Sequence, residues 1–249
     1  MSKRRDGSAA STLWVEKEKG WSTFRSEDED EIGQARQGVQ ITGRDIEVLS
    51  WIADQYAVRT DVIRWLLGPH GTPLSDSRTR AIVARWQRAG LVESRRFFVG
   101  EPHVVWPTRQ GMQLVGSRWR SRTPNVALLH HHHAVSQVRL AIERLGHGSN
   151  WVCERTLFAK RPTPTAHVPD GVFDSKQGVS TAVEVELSVK AADRLRDIIR
   201  DLTLDYEAVL YVVRDAKVGT AVTTAVKDVG EERRVTIAGL ARFDLEGRR

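Results

Sequence analysis

Residues 181–189, TAVEVELSV, alternate strictly between two kinds of side chain. Successive side chains of a β-strand point to opposite faces of its sheet, so this alternation predicts a strand with two distinct faces. One face carries Glu184 and Glu186 between two small residues, Ala182 and Ser188, and the other face is aliphatic. Two carboxylates on an otherwise apolar strand cost several kcal/mol unless they are solvated, paired or bound to a cation. The strand therefore belongs in a packed sheet, and its charges require partners.

The segments around this strand predict a sheet covered by helices. A long helix is predicted over residues 125–145, strands over 151–159, 167–174 and 181–189, a helix over 189–204, and an apolar strand over 208–214. Another helix and a last strand follow in VTTAVKDVG and VTIAGLARF. The order α-β-β-β-α-β predicts a mixed α/β fold, with a sandwich built around a central sheet.

A third carboxylate, Asp170, lies upstream at a predicted strand bend, within Pro169-Asp170-Gly171. Asp170, Glu184 and Glu186 together predict a site for Mg²⁺ or Mn²⁺, because hard divalent cations take carboxylates, waters and phosphate oxygens as ligands. A metal held there would activate water and stabilise charge on a scissile phosphate. The predicted chemistry is therefore metal-dependent cleavage of a phosphodiester.

This pattern resembles the PD-(D/E)XK nuclease superfamily, whose core has the same order of elements. The resemblance implies that Asp170 is the first motif carboxylate and Glu184 the second. The usual lysine position is occupied by Glu186, so the resemblance implies that Lys190, at the start of the following helix, supplies the catalytic amine. Glu143 on the long helix would match an extra acidic ligand found in some members.

The first half of the chain has a different pattern of apolar residues. Amphipathic helices are predicted over residues 43–55, from Thr60 to Gly68, and from Ser75 or Asp76 to Ala89, followed by two strand-like runs around a turn at Glu101-Pro102. Three helices and a hairpin, with the string AIVARWQRAGLVESRR, resemble a winged helix-turn-helix. In that fold the third helix enters the major groove of DNA, and the wing tip lies along the backbone or minor groove.

Arginine is concentrated in the same part of the chain. Residues 41–120 contain twelve arginines and no lysine against seven acidic residues, a net charge of +5. Guanidinium groups suit bidentate contacts with phosphates and guanine edges, so we expect double-stranded DNA as the partner. The residues predicted to contact it lie on the third helix and the first wing strand: Arg78, Arg80, Arg85, Arg88, Arg95 and Arg96.

The whole arrangement also resembles the replication-relaxation family of actinobacterial plasmids and mobile elements. There a winged helix precedes a helix that begins with histidine, then a "PDG" strand and an "E-x-E" strand. The matching residues here are His131 or His133 ahead of Ala134, Asp170 within its "PDG", and Glu184-Val185-Glu186, so the resemblance covers Ile41 to Val213. It implies a role in processing plasmid or mobile-element DNA.

Other features narrow the setting. The formal charge of +6 favours polyanionic partners, and the single cysteine, Cys153, excludes an internal disulfide and suits a reducing cytoplasm. No apolar run approaches the length of about 20 residues needed to span a bilayer, and the first residues lack the apolar segment of a signal peptide. Four consecutive histidines, His130 to His133, spread around a helix, so a metal site is not predicted there, although one of them is expected near the cleft. Tyr206 is expected to pack in the core.

The sequence therefore predicts a mostly disordered tail over residues 1–40, a winged helix over 41–120 and a nuclease-like domain over 125–249. One hypothesis is a DNA-binding, metal-dependent endonuclease or nickase in plasmid or mobile-element replication or transfer. The alternative is a non-catalytic initiator or regulator that binds a specific DNA site, whose degenerate nuclease-like domain forms a homodimer. Retention of the acidic residues favours the first, and Glu186 at the lysine position favours the second.

Overall fold

The computed structural model describes residues 39–69, 71–161 and 167–245. Residues 1–38 of the predicted tail therefore lie outside the described residues. The described residues from Val39 onward belong to one compact unit. The boundaries predicted within this unit, near residues 120 and 125, stay a prediction.

The first half contains four helices and a small antiparallel sheet of three strands in the order β1-β3-β2. Its elements are α1 (Gly43–Asp54), β1 (Val58–Arg59), α2 (Thr60–Leu67), α3 (Asp76–Arg88), β2 (Val92–Arg95), β3 (Val104–Pro107) and α4 (Arg109–Leu114). The predicted helices agree with these bounds to within a residue or two. Strand β1 was not predicted, because two residues are too short to show an alternating pattern.

Local side chains explain where these helices begin. Thr42 and Asp45 form a reciprocal capping box at the start of α1, and Ser75 caps α3 by accepting a hydrogen bond from the backbone N–H of Arg78. Helix α3 buries Val83 and Trp86 and keeps its arginine side outward. The core of this half forms between α1, α2, α3 and the small sheet.

The second half contains a mixed sheet of five strands in the order β4-β5-β6-β7-β8. The first three strands are antiparallel, whereas β6, β7 and β8 run parallel. Its elements are α5 (Leu129–Arg144), β4 (Gly148–Cys153), α6 (Glu154–Lys160), β5 (Gly171–Ser175), β6 (Ser180–Glu186), α7 (Ala192–Asp205), β7 (Ala208–Val213), α8 (Ala216–Val229) and β8 (Val235–Gly239). Within the described ranges, no helix is long and apolar enough to cross a membrane.

Helices cover both faces of this sheet, which confirms the predicted mixed α/β class. Val183 and Val185 of β6 pack against α5 on one face, while Ala182 and Tyr211 pack against α7 and α8 on the other. Residues 181–186 are all buried. The alternation in TAVEVELSV therefore arises from one aliphatic face against α5 and one face that carries the two glutamates.

Several predicted elements differ in the structure. The strand predicted over residues 167–174 begins at Gly171, the helix predicted in VTTAVKDVG begins at Ala216, and the last strand ends at Gly239. The strand predicted over residues 151–159 is wrong beyond Cys153, because residues 154–160 form helix α6, whose first turn gains Glu154 at the positive end of the helix dipole. The helix predicted from Val189 begins at Ala192 instead. Lys190 therefore lies on the loop between β6 and α7, because the chain needs those residues to cross from the sheet edge to the helix layer.

Helix α5 is shared between the two halves. Leu140 and Ala141 belong to the core formed with α1, α2 and α3, whereas Val138 and Ile142 belong to the core under the five-stranded sheet. The indole of Trp51 in α1 also donates a hydrogen bond of 2.9 Å to Glu143 of this helix. The two halves are thus packed on opposite sides of one element.

Candidate functional site

Two of the predicted carboxylates meet where β5 begins beside β6. Asp170 immediately precedes β5, and its Oδ2 accepts a hydrogen bond of 2.7 Å from the backbone N–H of Val185. This bond holds Asp170 against β6, next to Glu184, whose side chain is almost completely buried. The carboxylate cluster, as it is called below, comprises Asp170, Glu184, Glu186, Lys190, His131 and His167.

Each of the two carboxylates has a histidine partner. His131 Nε2 of α5 lies 2.8 Å from Asp170 Oδ1, and His167 Nε2 lies 3.0 Å from Glu184 Oε2. Burial acts against a charged ring at His131, but the hydrogen bond with Asp170 and its negative charge outweigh burial and raise the pKa of His131. His131 is thus the histidine of the run that lies beside the carboxylates.

Lys190 reaches the cluster although it lies outside a helix. Its Nζ is 3.6 Å from Glu184 Oε1 and 2.5 Å from Glu186 Oε2. Burial opposes the charged amine, but the hydrogen bond to Glu186 and the charge of Glu184 raise the pKa of Lys190. Lys190 is therefore protonated at neutral pH, and it pairs with Glu186, whose predicted metal role stays a prediction.

The cluster has the donor chemistry of a hard-cation site. Burial, followed by the charge of Asp170, raises the pKa of Glu184, and the same two causes raise the pKa of Glu154 in α6. Carboxylate oxygens are the ligands that Mg²⁺ or Mn²⁺ takes, and the metal site predicted at Asp170 and Glu184 stays a prediction. Among the described residues no three His, Cys, Asp or Glu side chains already converge on one point, so such an ion would draw further ligands from water or phosphate.

Packing against β4 requires a glycine in the "PDG" segment. A Cβ at Gly171 would lie 2.1 Å from Cζ2 of Trp151 in β4, which is far inside van der Waals contact. Only glycine lets the indole lie flat on the strand at this point. Gly171 therefore fixes the approach of β4 to β5 directly beside Asp170.

Two other residues considered from the sequence lie elsewhere. The carboxylate of Glu143 accepts hydrogen bonds from Trp51 and Arg139, so it serves the junction between the halves rather than the carboxylate cluster. Tyr206 ends α7 and packs partly buried against the core, as expected.

The remaining histidines of the run each contact a different element. His130 stacks on Phe98 of the β2–β3 connection, with ring centroids 4.8 Å apart. His132 stacks on Tyr56 at 5.1 Å, and His133 Nε2 lies 3.9 Å from Asp61 of α2. Burial lowers the pKa of both His132 and His133 to about 4, so these two rings are neutral at physiological pH. The run thus joins α5 to three parts of the first half.

Five of the six predicted DNA-contacting arginines form one set, called the arginine surface below. All five are exposed, and none has a salt bridge among the described residues: Arg78, Arg80 and Arg88 on α3, Arg95 on β2 and Arg96 just after it. Arg85 differs, because its guanidinium lies 2.6 Å from the buried carboxylate of Asp45. Its predicted DNA contact stays a prediction, but its geometry joins it to the core.

A groove of about 580 Å³ runs between α2, α3 and the β2–β3 hairpin. Arg80 and Arg96 of the arginine surface line it, together with Arg59 and Arg64 of the neighbouring segment. Arg59 is neutralised by Asp61 and Glu101. The groove therefore owes its available positive charge mainly to Arg80 and Arg96.

Sequence reasoning missed two members of the site, His167 and Glu154. His167 stands three residues before Asp170, and that short spacing beside a predicted acidic motif is the signal that could have found it. Glu154 was assigned to a strand, which concealed its position at the first turn of α6, near the charges of Asp170 and Glu184.

Comparisons with protein-family models, with curated proteins and with solved structures find no match for this chain.

Proposed function

We propose that this protein binds double-stranded DNA and cuts it in a metal-dependent reaction, as an endonuclease or nickase in the replication or transfer of a plasmid or mobile element. One observation carries the proposal. A protonated lysine, Lys190, lies 3.6 Å from the buried Glu184, beside Asp170, although the sequence has glutamate at the usual lysine position. A cation and two carboxylates next to each other are the groups that phosphodiester cleavage requires.

The organisation of the first half supports DNA binding. Three helices and an antiparallel sheet of three strands, in this order, support a winged helix-turn-helix, in which α3 would be the helix for the major groove. The arginine surface combines residues of α3 and of the adjoining hairpin. Exposed guanidinium groups without acidic partners are available to phosphates, and those at the start of α3 can also reach base edges.

The second half supports cleavage through its order of elements. Helix α5, strands β4, β5 and β6, helix α7 and strand β7 follow the α-β-β-β-α-β order of the PD-(D/E)XK core, with α6 as an addition after β4. Asp170 precedes the second of these strands, and Glu184 lies within the third. The two carboxylates are thereby placed on adjacent strands at one end of the sheet.

Each residue of the cluster then has a role in hydrolysis. Asp170 and Glu184 would hold Mg²⁺ or Mn²⁺, which when bound lowers the pKa of water and neutralises charge on the scissile phosphate. His131 and the backbone N–H of Val185 orient Asp170. Lys190 is protonated, so it stabilises negative charge on the phosphate rather than accepting a proton. Water adds to phosphorus and gives up a proton to the solvent, the ester bond to one sugar oxygen breaks, and that oxygen takes up a proton from the solvent.

A second candidate function has its own support. Lys190 is bound to Glu186 at 2.5 Å, and in the described part of the chain no three ligands yet converge. These features favour a DNA-binding initiator or regulator whose nuclease-like half keeps the fold without the reaction and serves to form a homodimer. The two functions share the arginine surface and differ only in what the carboxylate cluster does.

Cleavage of supercoiled plasmid DNA distinguishes them. The wild-type protein is expected to nick or linearise the plasmid with Mg²⁺ or Mn²⁺ and not with EDTA. Asp170→Asn and Glu184→Gln should each abolish cutting and leave duplex affinity unchanged, because the arginine surface lies elsewhere. Lys190→Ala should slow cutting, whereas Lys190→Arg, which keeps the charge, should retain more of it.

Glu232→Ala is the matched control, because it removes an exposed carboxylate from the turn before β8. It should cut like the wild-type protein. If the wild-type protein binds duplex without cutting under any divalent metal, and Asp170→Asn raises its thermal stability, the binding function replaces the nuclease.

A further inference from the structure

A pocket of about 370 Å³ lies on the side of the molecule where α4, α6 and the end of α1 meet, and its walls include no residue of the arginine surface or of the carboxylate cluster. We infer that this pocket binds unpaired nucleotides of a DNA single strand. Its walls combine aromatic rings, Tyr56, Trp119 and Phe158, with the arginines of residues 118–122 and of α6. Its volume is that of a site for one small ligand, and it cannot accommodate a double helix.

The positive charge of the pocket is available to a ligand. Arg118, Arg120 and Arg122 are exposed at its mouth, and none of the three has a salt bridge within the described ranges. Three guanidinium groups spaced along five residues match the repeated charge of a nucleic acid backbone better than a single anion. The ligand is therefore expected to be a strand with several phosphates.

The rings of Trp119 and Phe158 provide surfaces for bases, whereas the ring of Tyr56 is already stacked on His132 and Arg155. The guanidinium of Arg118 lies 4.4 Å from the ring centroid of Trp119, and Phe158 in α6 is 50% exposed. Flat aromatic faces with nearby arginines stack unpaired bases of any sequence, whereas the base faces of a duplex are hidden by their neighbours. This composition selects single-stranded DNA over duplex.

One guanidinium holds the pocket together. Arg155 donates hydrogen bonds to the carbonyl oxygens of Ala53 (2.7 Å) and Arg120 (3.2 Å), and it stacks over Tyr56 at 4.4 Å and Trp119 at 5.2 Å. It thereby ties α6 to the end of α1 and to the arginine-rich segment. The rings are fixed in position before a ligand arrives, which reduces the entropy cost of binding.

The backbone at Tyr56 points to the same conclusion. Tyr56 follows the end of α1 with a φ of +63°, in the left-handed region where glycine is the usual residue. A tyrosine there costs free energy that glycine would avoid, and strain of this kind is typically retained where a side chain is needed. The ring that this strain positions forms part of the pocket wall.

A series of side-chain contacts connects the pocket to the carboxylate cluster. Tyr56 stacks on His132, the rings of His132 and His131 are 6.2 Å apart, and His131 contacts Asp170. A strand held in the pocket would therefore lie next to the proposed cutting site, at a junction between paired and unpaired DNA. This placement beside a cutting site rests on the proposed nuclease function. Binding of a single strand in the pocket does not depend on that function.

Fluorescence anisotropy in EDTA tests the inference without any cleavage. A labelled oligothymidine of about 12 nucleotides should bind the wild-type protein, and Trp119→Ala should weaken that binding at least about fivefold, because it removes a stacking surface. Trp119→Phe should retain most of the affinity. Arg118→Ala combined with Arg122→Ala should reduce the salt slope by roughly 0.7 for each phosphate that the variant no longer neutralises. None of these variants should change the affinity for a blunt duplex.

Arg233→Ala is the control for charge, since it removes an exposed arginine outside the pocket. It should bind the oligothymidine like the wild-type protein. Unchanged binding by both Trp119→Ala and the double arginine variant would overturn the inference, and so would an equal loss for duplex in Trp119→Ala. A protein that binds the oligothymidine through the pocket and never cuts plasmid would sustain this inference while the nuclease proposal fails.

Discussion

Asp45 shows how one residue links the sequence to the position of the arginine surface. Its carboxylate is fully buried and accepts hydrogen bonds from Thr42, from the indole of Trp86 and from Arg85. Burial alone would raise the pKa of Asp45, but these hydrogen bonds and the charge of Arg85 outweigh it and lower the pKa. Asp45 therefore joins the start of α1 to the last turn of α3, the helix that carries Arg78 and Arg88.

Asp45→Asn should lower the free energy of unfolding by about 3 kcal/mol at pH 7, because it leaves Arg85 without its charged partner and weakens the cap of α1. A lowered pKa means that the contribution is complete above the unfolded pKa of about 3.9 and is lost as the pH falls through the folded value. The difference between wild type and variant, measured by urea unfolding, should therefore shrink between pH 5 and pH 2 (roughly one to two units either side of that value).

Asp76→Asn is the matched control, since its carboxylate is 68% exposed and pairs with Arg64 at the surface. Its effect should remain below about 1 kcal/mol at every pH. A difference for Asp45→Asn that does not depend on pH would contradict the ionic role assigned to this residue.

Among the individual residues of the candidate site, the sequence predicted some and could not predict others. Glu184 was identifiable because its carboxylate interrupts an apolar strand, where an unpaired charge is costly, and Asp170 because it lies in a predicted strand bend. Lys190 was named only through the resemblance, since it reaches the cluster from a loop, and His167 was missed because it follows a stretch of sequence without periodicity. The spacing of residues along a sequence predicts which face of a helix or strand each side chain occupies. It does not predict the position of a side chain on a loop.

Among the elements, α3 and the β2–β3 hairpin carry different arginines of the arginine surface, for which we expect different kinds of DNA contact. The side chains of Arg78 and Arg88 project from a helix, whereas Arg95 and Arg96 lie at the end of a strand near the hairpin tip. A helix in the major groove reads base edges, and a hairpin beside it contacts phosphates. The two pairs of arginines should therefore differ in sequence dependence.

The double variant of Arg78 and Arg88 to alanine should cost about 1–3 kcal/mol for each base contact and weaken a specific site more than a random duplex. The double variant of Arg95 and Arg96 to alanine should weaken both duplexes equally and reduce the salt slope by about 1 for each phosphate that is no longer bound. Titration of both duplexes at several salt concentrations measures the difference. Arg200→Ala with Arg233→Ala controls for net charge, and a selective loss in the hairpin variant would reverse the two assignments.

Element prediction was most reliable where a periodic pattern was long. The helices α1 and α3 and the strand β7 have apolar residues at regular intervals, and the sequence located them to within two residues, whereas α8, predicted over 222–230, begins at Ala216. The pattern failed at residues 154–160, because an apolar strand runs directly into a short helix without a glycine or proline between them. The boundary depends on how β4 pairs with β5, which is a tertiary contact.

For the whole molecule, the shared helix α5 is the decisive feature. Arg144 at its end donates hydrogen bonds to the carbonyl oxygens of Trp65 (2.6 Å) and Leu66 (3.1 Å), which satisfies the last turn of α2. Together with the bond between Trp51 and Glu143, it ties the first half to the sheet. The described residues from Val39 onward should therefore unfold together.

Thermal unfolding followed by tryptophan fluorescence and by far-ultraviolet circular dichroism should give coincident transitions. Arg144→Ala should lower the free energy of unfolding by about 1.5–3 kcal/mol, the range for hydrogen bonds from a charged donor, without splitting the transition. Arg200→Ala, at an exposed position of α7, should have little effect. Two separate transitions in the wild-type protein would show that the halves are independent domains.

A helix packed on both sides also fixes a distance. The core beneath the arginine surface and the core beneath the five-stranded sheet both include residues of α5, so we expect the distance between the arginine surface and the carboxylate cluster to stay constant. If α3 binds a specific DNA sequence and the carboxylate cluster cuts, the cut should fall a constant number of base pairs from that sequence. Moving the recognition sequence by a few base pairs along the DNA would move the cut by the same number.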